Sequence, residues 1–221
     1  MIVQIYEVST PSEAKNLVKL GVDHIGVLVG KGKYSRELNY IKTKKIFRVL
    51  PKKIKKVALS LSHSLKEIIE LVKETKPDIL HLGTLPQNLL PKDLKKLKQK
   101  FPDLKIMRSI PVIGEESIKL AKKYDGVADY LLLDTYKKRD SQVGATGKVH
   151  NWEISRKIVD SVKIPVILAG GLGPDNVAEA IRKVKPAGVD SKTATDKIGS
   201  HRKDLKKVKE FVKIVKSLSL L

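Results

Sequence analysis

The chain alternates between short apolar stretches and amphipathic segments along its whole length, and this alternation limits the folds open to it. Apolar stretches without polar alternation, such as Val166–Ala169, indicate strands buried on both faces, as in parallel sheets. Segments with apolar residues at helical spacing follow them, and the final one is the predicted helix Lys203–Ser217. The predicted strands are Val3–Tyr6, His24–Val29, Lys56–Leu61, Asp78–Leu82, Leu104–Ile110, Ala128–Asp134, Val166–Ala169 and Ala187–Asp190. Eight strand–helix units predict an α/β fold, a closed (β/α)₈ or TIM barrel, as a single domain over residues 1–221.

Residues suited to cap helices occur where the first and third predicted helices begin. Ser9 or Thr10 is expected to cap the first helix, which has Pro11 in its first turn. Ser62 or Ser64 is expected to cap the third. The alternative architecture is an open, doubly wound sheet, but the first predicted strand is not followed by a Gly-x-Gly-x-x-Gly turn.

The amino-acid composition limits the classes of function that this protein can have. The 45 Lys and Arg residues against 24 Asp and Glu give a net charge of +21, which can indicate a polyanionic partner. The basic residues are scattered, however, and the three Phe, six Tyr and one Trp offer few aromatic rings on which bases could stack. Nucleic acid is therefore not expected as a partner. The absence of cysteine excludes disulfides and thiolate chemistry. High lysine content with no cysteine suits a hyperthermophile surface, and no membrane span or signal peptide is visible, so we expect a cytoplasmic protein.

In a (β/α)₈ barrel, chemistry is carried by residues at the carboxyl ends of the strands. Loops after the seventh and eighth strands commonly bind phosphate, and here they hold Gly170-Gly171 and Ser191-Lys192-Thr193. Adjacent glycines can present backbone N–H groups to an anion, although the same turn can also be a plain strand-to-helix connection. The polar or glycine residues at strand ends are Tyr6, Glu7, Lys31, Lys33, Ser60, Ser62, His81, Arg108, Asp134, Gly170, Gly171, Asp190, Ser191, Lys192 and Thr193.

Asp134 is the carboxylate that ends an otherwise apolar strand. Burial of such a group raises its pKa and suits it to acid or base catalysis. A cap or an ion pair with a loop lysine is the structural alternative.

Several motifs in the second half of the chain resemble phosphoribosylanthranilate isomerase. They are Tyr130-Leu-Leu-Leu-Asp-Thr135, Gly144-Ala-Thr-Gly-Lys148 with Asn151-Trp152, Leu168-Ala-Gly-Gly-Leu-Gly-Pro-Asp-Asn-Val177 and Pro186-Ala-Gly-Val-Asp190. The resemblance implies an enzyme of tryptophan biosynthesis that works without a metal or cofactor. Its reaction is the Amadori rearrangement of an aminoaldose phosphate to an aminoketose phosphate, with a phosphorylated small molecule as the ligand. The assembly is expected to be a monomer or a homodimer.

The resemblance also assigns roles to single residues. It implies that Asp134 is the general acid, which protonates the furanose ring oxygen. Gly170, Gly171, Lys192 and Thr193 would hold the phosphate. The Gly144–Lys148 loop would cover the site, and Gly147 matches the glycine of that loop in the family.

The chain departs from the family pattern mainly in its first half. Where the family has Lys-Ile-Cys-Gly, with the cysteine as general base, this chain has Gln4-Ile5-Tyr6-Glu7. Tyr6 and Glu7 are therefore the candidate bases, although an ordinary tyrosine, with a pKa near 10, is a poor base at neutral pH. Lys33 is the candidate for the family arginine that holds the anthranilate carboxylate, and His81 and Arg108 are further candidate substrate contacts. The alternatives left open are a different isomerase or lyase acting on another phosphorylated sugar or nucleotide precursor, and a non-enzymatic binder of a phosphometabolite or polyanion.

Overall fold

The computed structural model describes residues 1–34, 36–136, 143 and 149–218. The strands are β1 Ile2–Ile5, β2 His24–Leu28, β3 Lys55–Ser60, β4 Ile79–Leu82, β5 Lys105–Pro111, β6 Tyr130–Asp134, β7 Val166–Leu168 and β8 Gly188–Ser191. The helices are α1 Pro11–Lys19, α2 Tyr40–Arg48, α3 Leu65–Thr75, α4 Pro91–Lys100, α5 Glu116–Tyr124, α6 Trp152–Ser161, α7 Val177–Val184 and α8 Leu205–Leu218. Short 3₁₀ turns cover Pro86–Asn88 and Thr193–Thr195.

The strands pair in parallel in chain order, and β8 closes against β1 to complete a barrel. The predicted (β/α)₈ fold is therefore confirmed, with element ends that differ by a few residues. Helix α2 begins at Tyr40, where Asn39 caps it by accepting a hydrogen bond from Lys42 N. That the whole of residues 1–221 forms one domain stays a prediction, since the described residues do not include the entire chain.

For each of the two predicted caps, the structure selects one of the two candidate residues. Thr10 Oγ1 accepts from Glu13 N at 3.2 Å, and Glu13 in turn accepts from Ser9 N. Ser64 Oγ accepts from Glu67 N at 3.4 Å at the start of α3. Each cap satisfies a backbone N–H group that the first turn of a helix leaves without a partner.

The core has two layers, as the two-sided burial of the strands requires. A large cluster lies between the strands and the helices, and a smaller one fills the barrel interior. The interior cluster comprises Tyr6, Val57, Ile79, Met107, Leu132, Ile167 and Ala169. Tyr6 is the largest of these side chains, and Gly26 in β2 makes room for it, because a Cβ at Gly26 would lie 2.1 Å from the tyrosine ring.

None of the helices in the described part of the chain is long and apolar enough to cross a membrane.

Candidate active site

A cavity of about 210 Å³ opens at the carboxyl ends of the strands. Its lining comes from both halves of the chain: Tyr6, Glu7, Leu28, Tyr34, Arg36, Leu59, Leu61, His81, Ser109, Leu132, Asp134, Val143, Gly170, Gly171, Leu172, Asp190, Lys192, Thr193 and Ala194. The structure thus brings together most of the residues predicted from strand ends, and it adds Arg36, Ser109 and Asp190 to those assigned a role.

Two aspartates face this cavity, one from β6 and one from β8. Burial raises the pKa of Asp134 to about 6, although two hydrogen bonds from Thr135 act in the opposite direction. The pKa of Asp190 is raised to about 8, first by burial and second by the negative charge of Asp134. One carboxyl of the pair therefore keeps its proton near neutral pH while the other is ionised, so the cavity holds both an acid and a base.

Gln4 sets the environment of Asp190. The β1–β8 register places Gln4 beside Asp190, and its Nε2 donates to Asp190 Oδ1 at 3.2 Å. Gln4 is neutral, so this hydrogen bond lowers the pKa of Asp190 less than the full charge of a cation in the same place. This leaves Asp190 with a raised pKa in a buried position.

The Gly170-Gly171 turn has the geometry of an anion cradle. Both glycines have positive φ values, +86° and +63°, which other residues adopt only with strain. A Cβ at Gly170 would lie 2.8 Å from His150 Nδ1 and 3.3 Å from Asp134 Oδ1, so the turn lies directly against the acid. Thr193 and Lys192 line the same cavity and supply a hydroxyl and a cation.

Tyr6 is placed at the site but is unsuited to act as a base. Its hydroxyl lies 2.8 Å from His81 Nδ1, and His81 Nε2 lies 2.7 Å from Ser109 Oγ. Burial and the nearby charges of Asp190 and Glu7 raise the pKa of Tyr6 well above its usual value. Burial also lowers the pKa of His81 to about 3, so His81 is neutral and the chain from Tyr6 to Ser109 is an uncharged hydrogen-bonded network. That Tyr6 is a candidate base stays a prediction, and its environment disfavours the tyrosinate that a base would need.

Glu7 reaches the cavity because β1 ends at Ile5, which frees Glu7 from strand alternation. Its Oε1 lies 2.7 Å from Lys192 Nζ, and its Oε2 lies 3.1 Å from Arg36 Nε. Glu7 is thus held between two cations and is not a free base.

Two predicted substrate contacts lie elsewhere. Lys33 is exposed and lines a neighbouring depression on the outer side of its loop, while Arg36 from the same loop lines the cavity. The physical reason is Glu37, whose Oε2 accepts hydrogen bonds from the backbone N–H groups of Gly32, Lys33 and Tyr34 and fixes the loop. The role predicted for Lys33 is therefore corrected, and Arg36 is the residue in position for it.

Arg108 is fully buried outside the barrel interior. It donates to Leu82 O at 3.0 Å and to Thr84 O at 2.6 Å, and its guanidinium lies 5.6 Å from the centre of the Tyr124 ring. Strand alternation explains the error in the prediction, because Ser109 faces the cavity and Arg108 must therefore face the helices. Arg108 holds the loop after β4 and does not line the cavity.

The remaining candidates can be placed in part. His81, Asp134, Gly170, Gly171, Lys192 and Thr193 line the cavity. Gly147 and the rest of the Gly144–Lys148 loop lie outside the described residues. Across residues 1–34, 36–136, 143 and 149–218, no group of three or more His, Asp or Glu side chains is arranged to hold a metal ion.

Known proteins match the chain over nearly its whole length. The family model described as "N-(5'phosphoribosyl)anthranilate (PRA) isomerase" matches residues 3–214. The N-(5'-phosphoribosyl)anthranilate isomerase of Methanocella arvoryzae is 35% identical over 215 residues, 97% of this chain and 97% of that protein. N-(5'-phosphoribosyl)anthranilate isomerase 2 of Methanosarcina mazei is 37% identical, over 96% of this chain and 92% of that protein. The solved structure of the enzyme from Pyrococcus furiosus superposes with a TM-score of 0.78 and 28% identity, and the match covers 98% of this chain and 99% of that one.

Proposed function

Because this chain belongs to the N-(5'-phosphoribosyl)anthranilate isomerase family, we propose that it catalyses the Amadori rearrangement of N-(5'-phosphoribosyl)anthranilate in tryptophan biosynthesis. The single observation that carries the proposal for this chain is the Asp134–Asp190 pair beside the Gly170-Gly171 turn. The reaction needs a proton donor and a proton acceptor next to a bound phosphosugar, and two carboxyls with raised pKa values beside the Gly170-Gly171 turn support this assignment.

The phosphate is assigned to the side of the cavity formed after β7 and β8. Backbone N–H groups of the Gly170-Gly171 turn, the Thr193 hydroxyl and the Lys192 ammonium would contact its oxygens. This assignment follows the usual phosphate position of the fold and places the sugar ring towards Asp134.

Asp134 is assigned the first proton transfer. Its carboxyl donates a proton to the furanose ring oxygen, the bond from that oxygen to C1 breaks, and the amino nitrogen supplies the electrons that form a C1=N iminium. A raised pKa suits Asp134 to this role, because a carboxyl with an ordinary pKa carries almost no proton at neutral pH.

Asp190 is assigned the second transfer, in place of Tyr6 and Glu7. Its carboxylate accepts the proton from C2, and the electrons of that bond form the C1=C2 enolamine while the iminium is neutralised. Protonation at C1 and loss of the enol proton then give the aminoketose. Near neutral pH the higher pKa of Asp190 favours the proton on that carboxyl, so the reactive form is the one in which the proton has moved to Asp134 and Asp190 is ionised. The two carboxyls titrate as a coupled pair, which allows this exchange.

Arg36 is assigned the carboxylate of the anthranilate ring. It lies on the loop after β2 and lines the cavity. Its planar fork can bind a carboxylate through two hydrogen bonds, which the exposed Lys33 cannot do.

The test is turnover of synthesised N-(5'-phosphoribosyl)anthranilate, followed through the loss of its fluorescence. We expect turnover by the wild type and a loss of about 10²–10⁴-fold in kcat for Asp134→Asn, the usual contribution of a general acid. Absence of turnover by a folded wild type at every pH from 6 to 10 would overturn the proposed substrate. In that case the alternatives are another phosphorylated sugar on the same site, or simple phosphometabolite binding.

A further inference from the structure

The cavity contains an anion that belongs to the chain itself. Glu7 lies between Lys192 and Arg36, at 2.7 and 3.1 Å, and its side chain is only 13% exposed while that of Lys192 is 14% exposed. Ion pairs in such poorly solvated places are much stronger than pairs on the surface. The Glu7 carboxylate therefore occupies the space between these two cations.

The two cations that Glu7 engages are the ones on which an anionic ligand would depend. Among the described lining residues, Arg36 and Lys192 are the side chains with a permanent positive charge. The net charge of the whole chain is +21, but little of the positive charge inside the cavity is left unpaired by Glu7.

The contacts of Glu7 are incomplete, which favours exchange with a ligand. Arg36 Nε approaches Glu7 Oε2 without hydrogen-bond alignment, and this oxygen is buried without a hydrogen-bond partner. Arg36 also donates from Nη1 to His201 Nδ1 at 3.3 Å, so its guanidinium is divided between two neighbours. A ligand carboxylate that met the guanidinium through two aligned hydrogen bonds would satisfy Arg36 better than Glu7 does.

We propose that Glu7 is a resident anion, which competes with the carboxylate of the aromatic amine for Arg36 and thereby sets the substrate affinity and selectivity of this site. The proposal rests on the proposed function, since it concerns how the same cavity receives its substrate. Glu7 is then a specificity-determining residue and has no part in proton transfer. The neutral network of Tyr6, His81 and Ser109 continues to form the floor of the site when Glu7 is displaced.

The competition has a consequence for selectivity. The wild type gains little from a ring carboxylate, because binding it requires the displacement of Glu7. It should therefore discriminate weakly between N-(5'-phosphoribosyl)anthranilate and the corresponding aniline derivative, which lacks the carboxylate.

The test is Glu7→Gln, which keeps the shape of the side chain and removes its charge. Binding of free anthranilate is measured by calorimetry, and kcat and KM are measured for both substrates. We expect anthranilate to bind at least about tenfold more tightly, KM for the carboxylated substrate to fall, and kcat to change by less than about threefold. The preference for the carboxylated substrate over the aniline derivative should rise by the same factor as the affinity for anthranilate.

Glu70→Gln is the matched control for the change in net charge. Glu70 pairs with Lys31 at 2.8 Å on the surface, where both side chains are exposed. This variant should leave anthranilate binding and both KM values unchanged.

The proposal is overturned if Glu7→Gln leaves the affinity for anthranilate unchanged, or if it lowers kcat by 100-fold or more, as loss of a base would. Because calorimetry with anthranilate needs no turnover, it decides the competition even if the wild type fails to isomerise the proposed substrate. Glu7→Ala repeats the titration if the glutamine variant does not fold.

Discussion

The two sides of the cavity differ in whether their polar and charged groups are already paired within the chain. After β7 and β8, two glycines with positive φ and Thr193 line the cavity. After β1 and β2, the charged groups are satisfied within the chain: Glu7 engages Arg36 and Lys192, and Glu37 takes three backbone N–H groups of its loop. One side is ready for a ligand, whereas the other must exchange an internal partner for it. Under the proposed function, the phosphate anchors the substrate and the other side determines which substituent is accepted.

Asp190→Asn tests which residue accepts the C2 proton, and we expect it to have the largest effect on kcat. If Asp190 on the β8 side accepts the C2 proton, kcat should fall by about 10²–10⁴-fold. The fold should be retained, since an amide fits the same space and accepts the hydrogen bond from Gln4 without the cost of a buried charge. Steady-state kinetics and thermal unfolding are the measurements. A kcat within threefold of the wild type would place the base on the β1 side.

Gly170→Ala tests the cradle on the β7 side. The new methyl group would meet His150 and Asp134, and the residue would be strained at a φ of +86°. We expect KM to rise by about tenfold or more and kcat to fall, because the turn must move away from the phosphate and the acid.

Gly126→Ala is the control for backbone strain alone. Gly126 has a φ of +75° on a turn where an added Cβ has no neighbour within 4 Å. It should cost about 1 kcal/mol of stability and leave KM unchanged. Equal KM values for the two alanine variants would contradict the cradle.

Arg36→Met and Lys33→Met compare two cations of one loop. We expect the first to raise KM for the carboxylated substrate by about tenfold, since it removes the carboxylate partner. The second should have no effect on KM, because Lys33 lies outside the cavity. The reverse order of effects would restore the role predicted for Lys33 from the sequence.

Tyr6→Phe should have the smallest effect on catalysis. The variant removes the hydrogen bond to His81 Nδ1 but keeps the ring that fills the space beside Gly26. We expect kcat within about threefold of the wild type and a loss of about 1–3 kcal/mol in the free energy of unfolding, because a buried nitrogen loses its partner. Denaturant titration and steady-state kinetics measure the two quantities. A 100-fold loss in kcat would assign a catalytic role to Tyr6.

The fold and the grouping of the residues after β7 and β8 on one cavity could be predicted because their signals are local. Unbroken apolar strands, helical periodicity and the Gly170-Gly171 turn each occur within a short stretch, and the structure places Asp134, Lys192 and Thr193 on the same cavity. Alternation within β5 also predicts that Ser109 and Arg108 face opposite sides of the strand. Position near the strand end alone does not distinguish the two residues.

The other side depends on pairings between residues far apart in the sequence. Glu7 meets Lys192, and Gln4 meets Asp190, only because the barrel closes β1 against β8. The choice of Arg36 over Lys33 depends on how Glu37 folds its own loop. The raised pKa of Asp190 follows from its burial beside Asp134, which strand order alone does not reveal.

The dependence of kcat/KM on pH for the wild type with N-(5'-phosphoribosyl)anthranilate tests the central claim most directly. If the Asp134–Asp190 pair performs the proton transfers, the profile is bell-shaped. Activity is lost below about pH 6, where both carboxyls are protonated and no base remains, and above about pH 8, where both are ionised and no acid remains. A rate that continues to rise to pH 10, as a tyrosinate base would require, would contradict the account.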